Sequence, residues 1–242
     1  MIDYDREAPL YDATRGGEER ASAVAAAVSR LLPSSGSLLD VACGTGIVTV
    51  RLAAARPVLG IDRSPGMLSV AAGRLPGRVL LGDAARLPVG SGAFDAVLMV
   101  WLLHLLADPL PVLAEAARVV GPGGRVITTV DKSAAMFAEP SDVATVTAPW
   151  RQEQSSRATD RCSLVASVLE RYGLRPVGES SFPGLGQGRS PAQWRTAVQA
   201  GRVPWAVRDP QGVDQVLARL PDQDAPRPEP TYRLTAFAAP TP

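Results

Sequence analysis

Between Ser37 and Val130 the chain repeats one pattern: a short apolar run, a turn bearing glycine, proline or aspartate, then a stretch at helical spacing. The runs are Leu38-Leu39-Asp40-Val41-Ala42, Val58-Leu59-Gly60-Ile61-Asp62, Arg78 to Leu81, Phe94 to Val100 and Arg125 to Val130. Each is short and bounded by turn residues, which predicts a strand rather than a buried helix. Helices are predicted from about Glu18 to Leu32, from Ile47 to Ala55, after Ser64-Pro65 and after Asp108-Pro109. In both Xaa-Pro pairs the first residue can cap, while proline suits the first turn, where its missing N–H costs nothing. Strands alternating with helices require right-handed crossovers and a mostly parallel sheet covered on both faces. The expected class is therefore α/β, doubly wound and Rossmann-like.

Beyond Asp131 the rhythm loosens. A helix is predicted over Ser163 to Tyr172, closed by Gly173, and a strand over Leu174 to Phe182. Residues 183 to 230 are rich in Gly and Pro, with helices predicted at Pro191 to Ala200 and Gln211 to Leu220. Pro221 to Pro230 is expected to be a mobile connection. Tyr232 to Ala238 is a final strand, completing a seven-stranded sheet with a lid insertion (183–230) before the last strand. Residues 1 to 19 have no clear period and form a second, N-terminal lid segment of what is otherwise one domain over 1–242.

Composition narrows the functional classes. The formal net charge is +1, Lys132 is the lone lysine, and no basic run is present. A nucleic-acid partner, which needs concentrated positive charge, is not expected. Cys43 and Cys162 make neither a disulfide framework nor a metal cluster. No apolar run reaches membrane-spanning length, and Met1-Ile2-Asp3-Tyr4-Asp5 carries acids where a signal peptide carries positive charge. A cytoplasmic location is expected, with no metal and no membrane; nothing indicates an oligomeric state.

The chemistry concentrates at Leu39-Asp40-Val41-Ala42-Cys43-Gly44-Thr45-Gly46. Glycines at a strand-to-helix turn admit a ligand close to the backbone, and the helix start offers free N–H groups. A dinucleotide fingerprint requires glycine at 44, 46 and 49, but position 49 is threonine. Asp62 ends the second strand, where a carboxylate can accept both hydroxyls of a ribose. Asp83 follows the third strand, positioned to accept from an adenine amino group. Either acid taken alone is more often a helix cap or a solvated turn residue; three turns in register at one sheet edge favour the ligand reading.

These segments resemble the class I S-adenosylmethionine-dependent methyltransferases, in particular the small-molecule branch called type 11, which includes quinone-biosynthesis C-methyltransferases. The resemblance rests on residues 39–46, Asp62-Arg63-Ser64-Pro65-Gly66-Met67-Leu68, Gly82-Asp83-Ala84-Ala85-Arg86-Leu87-Pro88, Phe94-Asp95-Ala96-Val97 and Arg118-Val119-Val120-Gly121-Pro122-Gly123-Gly124. The family's first glycine is Ala42 here. The resemblance implies S-adenosyl-L-methionine as cofactor: the Gly44–Gly46 turn on its methionine part, Asp40 reaching its amino group through water, Asp62 on the ribose, and Asp83 with the Ala84 backbone on the adenine. Tyr11-Asp12-Ala13-Thr14-Arg15 matches an element of relatives whose arginine lies near the cofactor carboxylate. Arg63, Met67 and Val100 complete the implied cofactor set.

His104, the one histidine, stands just past the fourth strand, where the branch often has a histidine facing the cofactor methyl. It is the candidate catalytic residue, acting as a general base or orienting the acceptor. Phe137, Trp150, Phe182, Trp194 and Trp205 are either pocket walls over the donor or the lid's own core. Cys43 is expected to be a packed residue rather than a nucleophile. The implied activity is methyl transfer to a small molecule through an O, N or C nucleophile; an arginine-biased chain of this branch suggests natural-product tailoring. The alternative is a protein of this fold that binds the cofactor without transferring methyl, as a cyclase or regulatory subunit would.

Overall fold

The computed structural model describes residues 3–155 and 157–241. Met1 and Ile2, with which the N-terminal lid segment begins, lie outside the described residues. Seven strands form one sheet: β1 (Leu38–Val41), β2 (Val58–Asp62), β3 (Val79–Leu81), β4 (Phe94–Met99), β5 (Val120–Val130), β6 (Arg175–Pro183) and β7 (Thr231–Ala238). Their order is β3-β2-β1-β4-β5-β7-β6. All neighbours pair in parallel except β7, which is antiparallel to both β5 and β6. Strand order reverses between β1 and β4. The two following connections therefore diverge to opposite faces and leave a crevice at the C-terminal strand ends, where ligands bind in open α/β sheets.

The N-terminal segment forms α1 (Tyr4–Glu7) and α2 (Tyr11–Thr14), followed by α3 (Gly17–Ser29). α4 (Thr49–Leu52) and α5 (Pro65–Arg74) follow β1 and β2, and α6 (Leu110–Val119) precedes β5. α7 (Lys132–Ala135), α8 (Asp142–Ser155) and α9 (Cys162–Glu170) lie between β5 and β6; α10 (Pro191–Gln199) and α11 (Pro210–Ala218) lie between β6 and β7.

Each central strand is buried on both sides, which is why its apolar run is continuous rather than alternating. Leu39, Val41, Val97 and Met99 pack under α6 and α9, with Leu113 and Leu169 fully enclosed. Leu38, Ala96 and Leu98 pack on the other face with Val24 and Val28 of α3. A third, separate core joins Val143 of α8, Trp194 and Val198 of α10, and Val213 and Leu217 of α11. Phe137 stacks on Trp194 at 5.5 Å and meets Trp205 edge-on at 5.7 Å within it. These rings are the core of a helical cap. Phe182 instead joins the sheet, against Trp101 and Tyr232.

Local chemistry explains where elements begin. Ser64 caps α5 by accepting from the Met67 N–H, with Pro65 in the first turn. Ahead of α6 the cap position falls on Pro109, one residue later than the sequence suggests, and Asp108 accepts from the Leu110 N–H. The helix expected over Ile47 to Ala55 is regular only across Thr49–Leu52, with turns on both sides. α8 had no clear signal: Pro149 stands inside it, and among its described side chains Val143 and Thr147 are the buried ones. The cap thus draws on residues 132–161 as well as the 183–230 insertion.

Three non-glycine residues adopt the left-handed region just past strand ends: Ala42 (φ 61°) after β1, Trp101 (φ 56°) after β4 and Asp131 (φ 51°) after β5. Such backbone is costly for a side chain bearing Cβ and concentrates at functional sites. Ala42→Gly is expected to stabilise the protein by about 1 kcal/mol, read from the midpoint of urea unfolding. An unchanged or lower midpoint would mean that packing of the Ala42 methyl offsets the strain.

Candidate active site

A deep cleft opens at the C-terminal ends of β1, β2, β3 and β4. Its floor is the turn after β1. Asp40, 4% exposed, is the last-but-one residue of that strand, and the fully buried Thr49 donates its hydroxyl to Asp40 Oδ2 at 2.5 Å. Burial pushes the Asp40 carboxyl up to about 7, against the Thr49 hydrogen bond, which lowers it. Gly44 has φ 57°, and a Cβ there would meet no atom within 4 Å, so its backbone faces open space. Gly46 (φ 70°) has another job. A Cβ on it would press Leu75 and Ala71, so its lack of side chain lets α5 pack close, and it does not line the cleft. Cys43 also borders the cleft, but burial raises its thiol far above the ordinary range; it is no nucleophile.

The second wall comes from β2 and β3. Asp62 Oδ2 accepts from the Gly44 N–H at 2.8 Å and Oδ1 from the Ser64 N–H at 2.9 Å. The carboxylate is thereby locked between the two turns, with lone pairs remaining on both oxygens. Asp83, exposed, accepts from the Ala85 N–H at 2.9 Å. Ala42, Arg63, Met67, Ala84 and Val100 complete these walls.

The N-terminal segment covers the cleft and contributes Tyr4, Tyr11, Asp12 and Arg15. Its anchors went unnoticed in the sequence. Asp12 accepts from the Thr45 hydroxyl at 2.6 Å and pairs with Arg74 at 2.7 Å, while Arg74 donates to the Thr45 carbonyl at 2.8 Å. Asp5 accepts from the Ser64 hydroxyl at 2.6 Å and the Gly66 N–H at 2.8 Å. Arg15 pairs with Glu7 at 3.1 Å and lies 5.5 Å from the Tyr11 ring centre, yet its Nε is buried with no acceptor among the described residues.

Past β4 the chemistry changes. Trp101 donates its backbone N–H to Thr129 Oγ1 at 2.8 Å; its ring meets Phe182 and Tyr232 edge-on, and the Arg20 guanidinium stacks over it at 4.2 Å. Burial depresses the Lys132 ammonium to about 8; Asp160 opposes this, and Arg15, Arg20 and Arg189 add to it. His104 lies on a 3-10 turn (Leu103–Leu105) and borders a second cavity with Ser133, Trp150, Asp160 and Trp205 rather than the cleft of the three acids. Leu106 borders both spaces. Burial, aided by Lys132, lowers the imidazole to about 3, so the ring is neutral at ordinary pH. Its Nδ1 is buried without a partner among the described residues. Among the described residues no group of His, Cys, Asp and Glu could hold a metal ion, and no helix is long and apolar enough to cross a membrane.

Comparison with known proteins matches residues 39–128 to a family model described as a methyltransferase domain. The chain is similar to demethylmenaquinone methyltransferase of Mycolicibacterium vanbaalenii, 38% identical over 129 residues, covering 51% of this chain and 56% of that protein. It is also similar to the ubiquinone/menaquinone biosynthesis C-methyltransferase UbiE of Syntrophotalea carbinolica, 35% identical over 136 residues, covering 51% and 57%. The chain spans about half the length of these curated relatives. Among solved structures it resembles the [4+2]-cyclase SpnF (TM-score 0.63, 20% identity, 99% of this chain and 95% of that one). It also resembles N-methyltransferase NodS from Bradyrhizobium japonicum, solved with S-adenosylhomocysteine (TM-score 0.53, 15% identity, 92% and 86%). At those identities the likeness is one of fold.

The docking of the N-terminal segment depends on Gly66, because a Cβ there would stand 2.8 Å from the Asp5 Cα and carbonyl oxygen. Those are backbone atoms and cannot swing aside. Gly66→Ala should therefore unseat α1 while leaving the sheet intact: limited proteolysis should cut within residues 3–14 several-fold faster, with little change in melting temperature. An unchanged cleavage rate would refute the anchor.

Proposed function

We propose that this chain is a class I S-adenosylmethionine-dependent methyltransferase of the type 11 branch, and that it transfers the methyl group of that cofactor to an oxygen, nitrogen or carbon nucleophile of a small molecule. The observation that carries the reading is convergence: Asp40, Asp62 and Asp83, from the ends of three adjacent strands, line one cleft together with the Gly44 backbone. The residues present fit the cofactor. Gly44 leaves room for a close approach, and the Arg15 Nε is a buried donor still lacking an acceptor.

In this reading Gly44, Asp40 and Arg15 hold the amino-acid part, Asp62 the ribose hydroxyls, and Asp83 with the Ala84 backbone the adenine. Tyr11, Ala42, Arg63, Met67 and Val100 form the walls, and Gly46 sets the shape of the turn from below. Once bound, the cofactor supplies an activated methyl group on a sulfonium. The protein's own work is to hold the acceptor in line and to exclude water, and near-attack positioning is worth roughly 7–11 kcal/mol. The N-terminal segment and the helical cap, including residues 183–230, act as lids over the two spaces.

His104 belongs to the acceptor side. An imidazole that stays neutral down to about pH 3 takes up a proton poorly. In this reading it orients the acceptor by hydrogen bonding through its Nδ1, unpartnered among the described residues, with burial opposing a gain of charge on the ring. Calorimetric titration tests the donor assignment: S-adenosylhomocysteine should bind and NAD should not, and no binding of the former sinks it. Incubation with labelled donor and a panel of small phenols, amines and carboxylates tests transfer. Tight donor binding with no labelled product would favour a cofactor-binding protein that does not transfer methyl.

Asp40 makes the affinity pH-dependent. Its carboxyl, raised to about 7, must be ionised to complement an ammonium group. Affinity for S-adenosylhomocysteine should therefore rise with pH through about 7, falling up to about tenfold per pH unit below it. Asp40→Asn should abolish the slope. A flat profile in the wild type would refute the role.

A further inference from the structure

The cleft of the three acids adjoins a cationic region that it meets at Arg20 and Trp101. The acids of the donor site stand at the ends of β1, β2 and β3. Cations gather on the other half of the same sheet edge. Lys132 follows β5, Arg189 lies in the connection after β6, and Arg20 of α3 stacks on Trp101, which follows β4. Tyr232, at the start of β7, sits among them, within electrostatic reach of both Arg20 and Arg189. Its hydroxyl donates to Gln187 in the loop that carries Arg189.

Among the described residues, two of these cations, Arg20 and Arg189, have no carboxylate partner, and Arg20 is 7% exposed. The nearby acids are committed elsewhere: Glu7 to Arg15, Asp12 to Thr45 and Arg74, Asp131 to Arg233. Asp160 accepts from the Lys132 backbone N–H at 2.8 Å and is the one carboxylate acting on its ammonium. The indole Nε1 of Trp101 is also buried with no acceptor among the described residues, in a residue held in left-handed backbone that lines the cleft. An unpaired buried cation such as Arg20 and an unsatisfied buried donor are expensive, while the half-buried Arg189 rests on the Trp194 ring at 4.8 Å with its charge uncompensated. Gathered at one point they make a ready site for an anion, because guanidinium forks bind carboxylate and phosphate with strong charge-assisted hydrogen bonds.

We propose that the methyl acceptor carries an oxyanion, a carboxylate or a phosphate group, held among Arg20, Arg189 and Lys132 with the Trp101 indole N–H as a further donor. The proposal rests on the methyl-transfer reading and names its substrate class. It assigns the region at the β4–β5–β7–β6 side of the cleft to the acceptor, and leaves Arg15, which lines the cleft between the two, to the donor.

The test uses the full chain saturated with S-adenosylhomocysteine, titrated with inorganic phosphate, phenyl phosphate and benzoate-type carboxylates, each beside a neutral amide or alcohol of the same shape. At least one oxyanion should bind about tenfold tighter than its neutral counterpart, and the phosphate and carboxylate arms distinguish the two groups. Arg189→Gln, confirmed as folded by its melting curve, should abolish that preference while leaving S-adenosylhomocysteine affinity within about twofold. Lys132→Gln repeats the measurement from the β5 side. Equal binding of neutral probes, no oxyanion binding at about 10 mM, or a preference that survives both substitutions overturns the proposal. So does a tenfold loss of S-adenosylhomocysteine affinity in Arg189→Gln, which would make the cluster part of the donor site. Failure of the wild type to bind S-adenosylhomocysteine is a different result and strikes the methyl-transfer reading itself.

Discussion

The hydrogen bond from Thr49 to Asp40 ties the cleft together. It joins the last turn of β1 to the first residue of α4, so the glycine turn between them is held at both ends. It also satisfies a carboxylate that the sheet has removed from water. Asp62 then clamps the same turn from the neighbouring strand through the Gly44 N–H, and Ser64, next along, receives Asp5 of the N-terminal segment. Floor, wall and cover are thus tied to one another by hydrogen bonds that run from the buried Asp40 out to the exposed Asp5. Buried polar networks of this kind rigidify a site when every member is satisfied, and for that reason the cleft can be built in advance of its ligand.

Thr49 shows how much of this could be read without coordinates. Its identity is what separates the turn from a dinucleotide fingerprint, and in the structure the same side chain anchors Asp40. The core sheet was legible because parallel strands buried on both faces give short, continuous apolar runs, and because Ser64-Pro65 marks a helix start directly. The donor-site acids were legible because three turns share one sheet edge. The helical cap was only half legible. Its core comes from segments far apart in sequence, α8 contains a proline, and no local stripe shows that Val143 meets Trp194 and Val213.

The acceptor half was illegible for a different reason. Arg20, Lys132 and Arg189 stand in a helix, after a strand and in a loop, with no spacing relation among them. A net charge of +1 averages away their concentration, and arginine is so common in this chain that no single one attracts notice. His104, which does attract notice by being alone, borders the second cavity rather than the cleft of the three acids.

The separation of charge along the sheet edge has a consequence for how the two partners are held. On the proposed assignment, acids at the ends of β1 to β3 face a cationic donor, and cations beyond β4 face an electron-rich acceptor. Fields of this sign hold the two charged partners in place; methyl transfer itself moves positive charge from the first region toward the second, so their contribution is to binding and alignment and not to the barrier. Here the groups facing them are fixed: Asp62 by two backbone N–H donors, Asp40 by Thr49, and Arg20 by the Trp101 ring. Preorganised charge in a site closed to water is worth more than the same charge in solvent. The strained backbone at Ala42, Trp101 and Asp131 follows from the same demand, because each carries the chain away from a strand end and keeps the crevice between the two halves open.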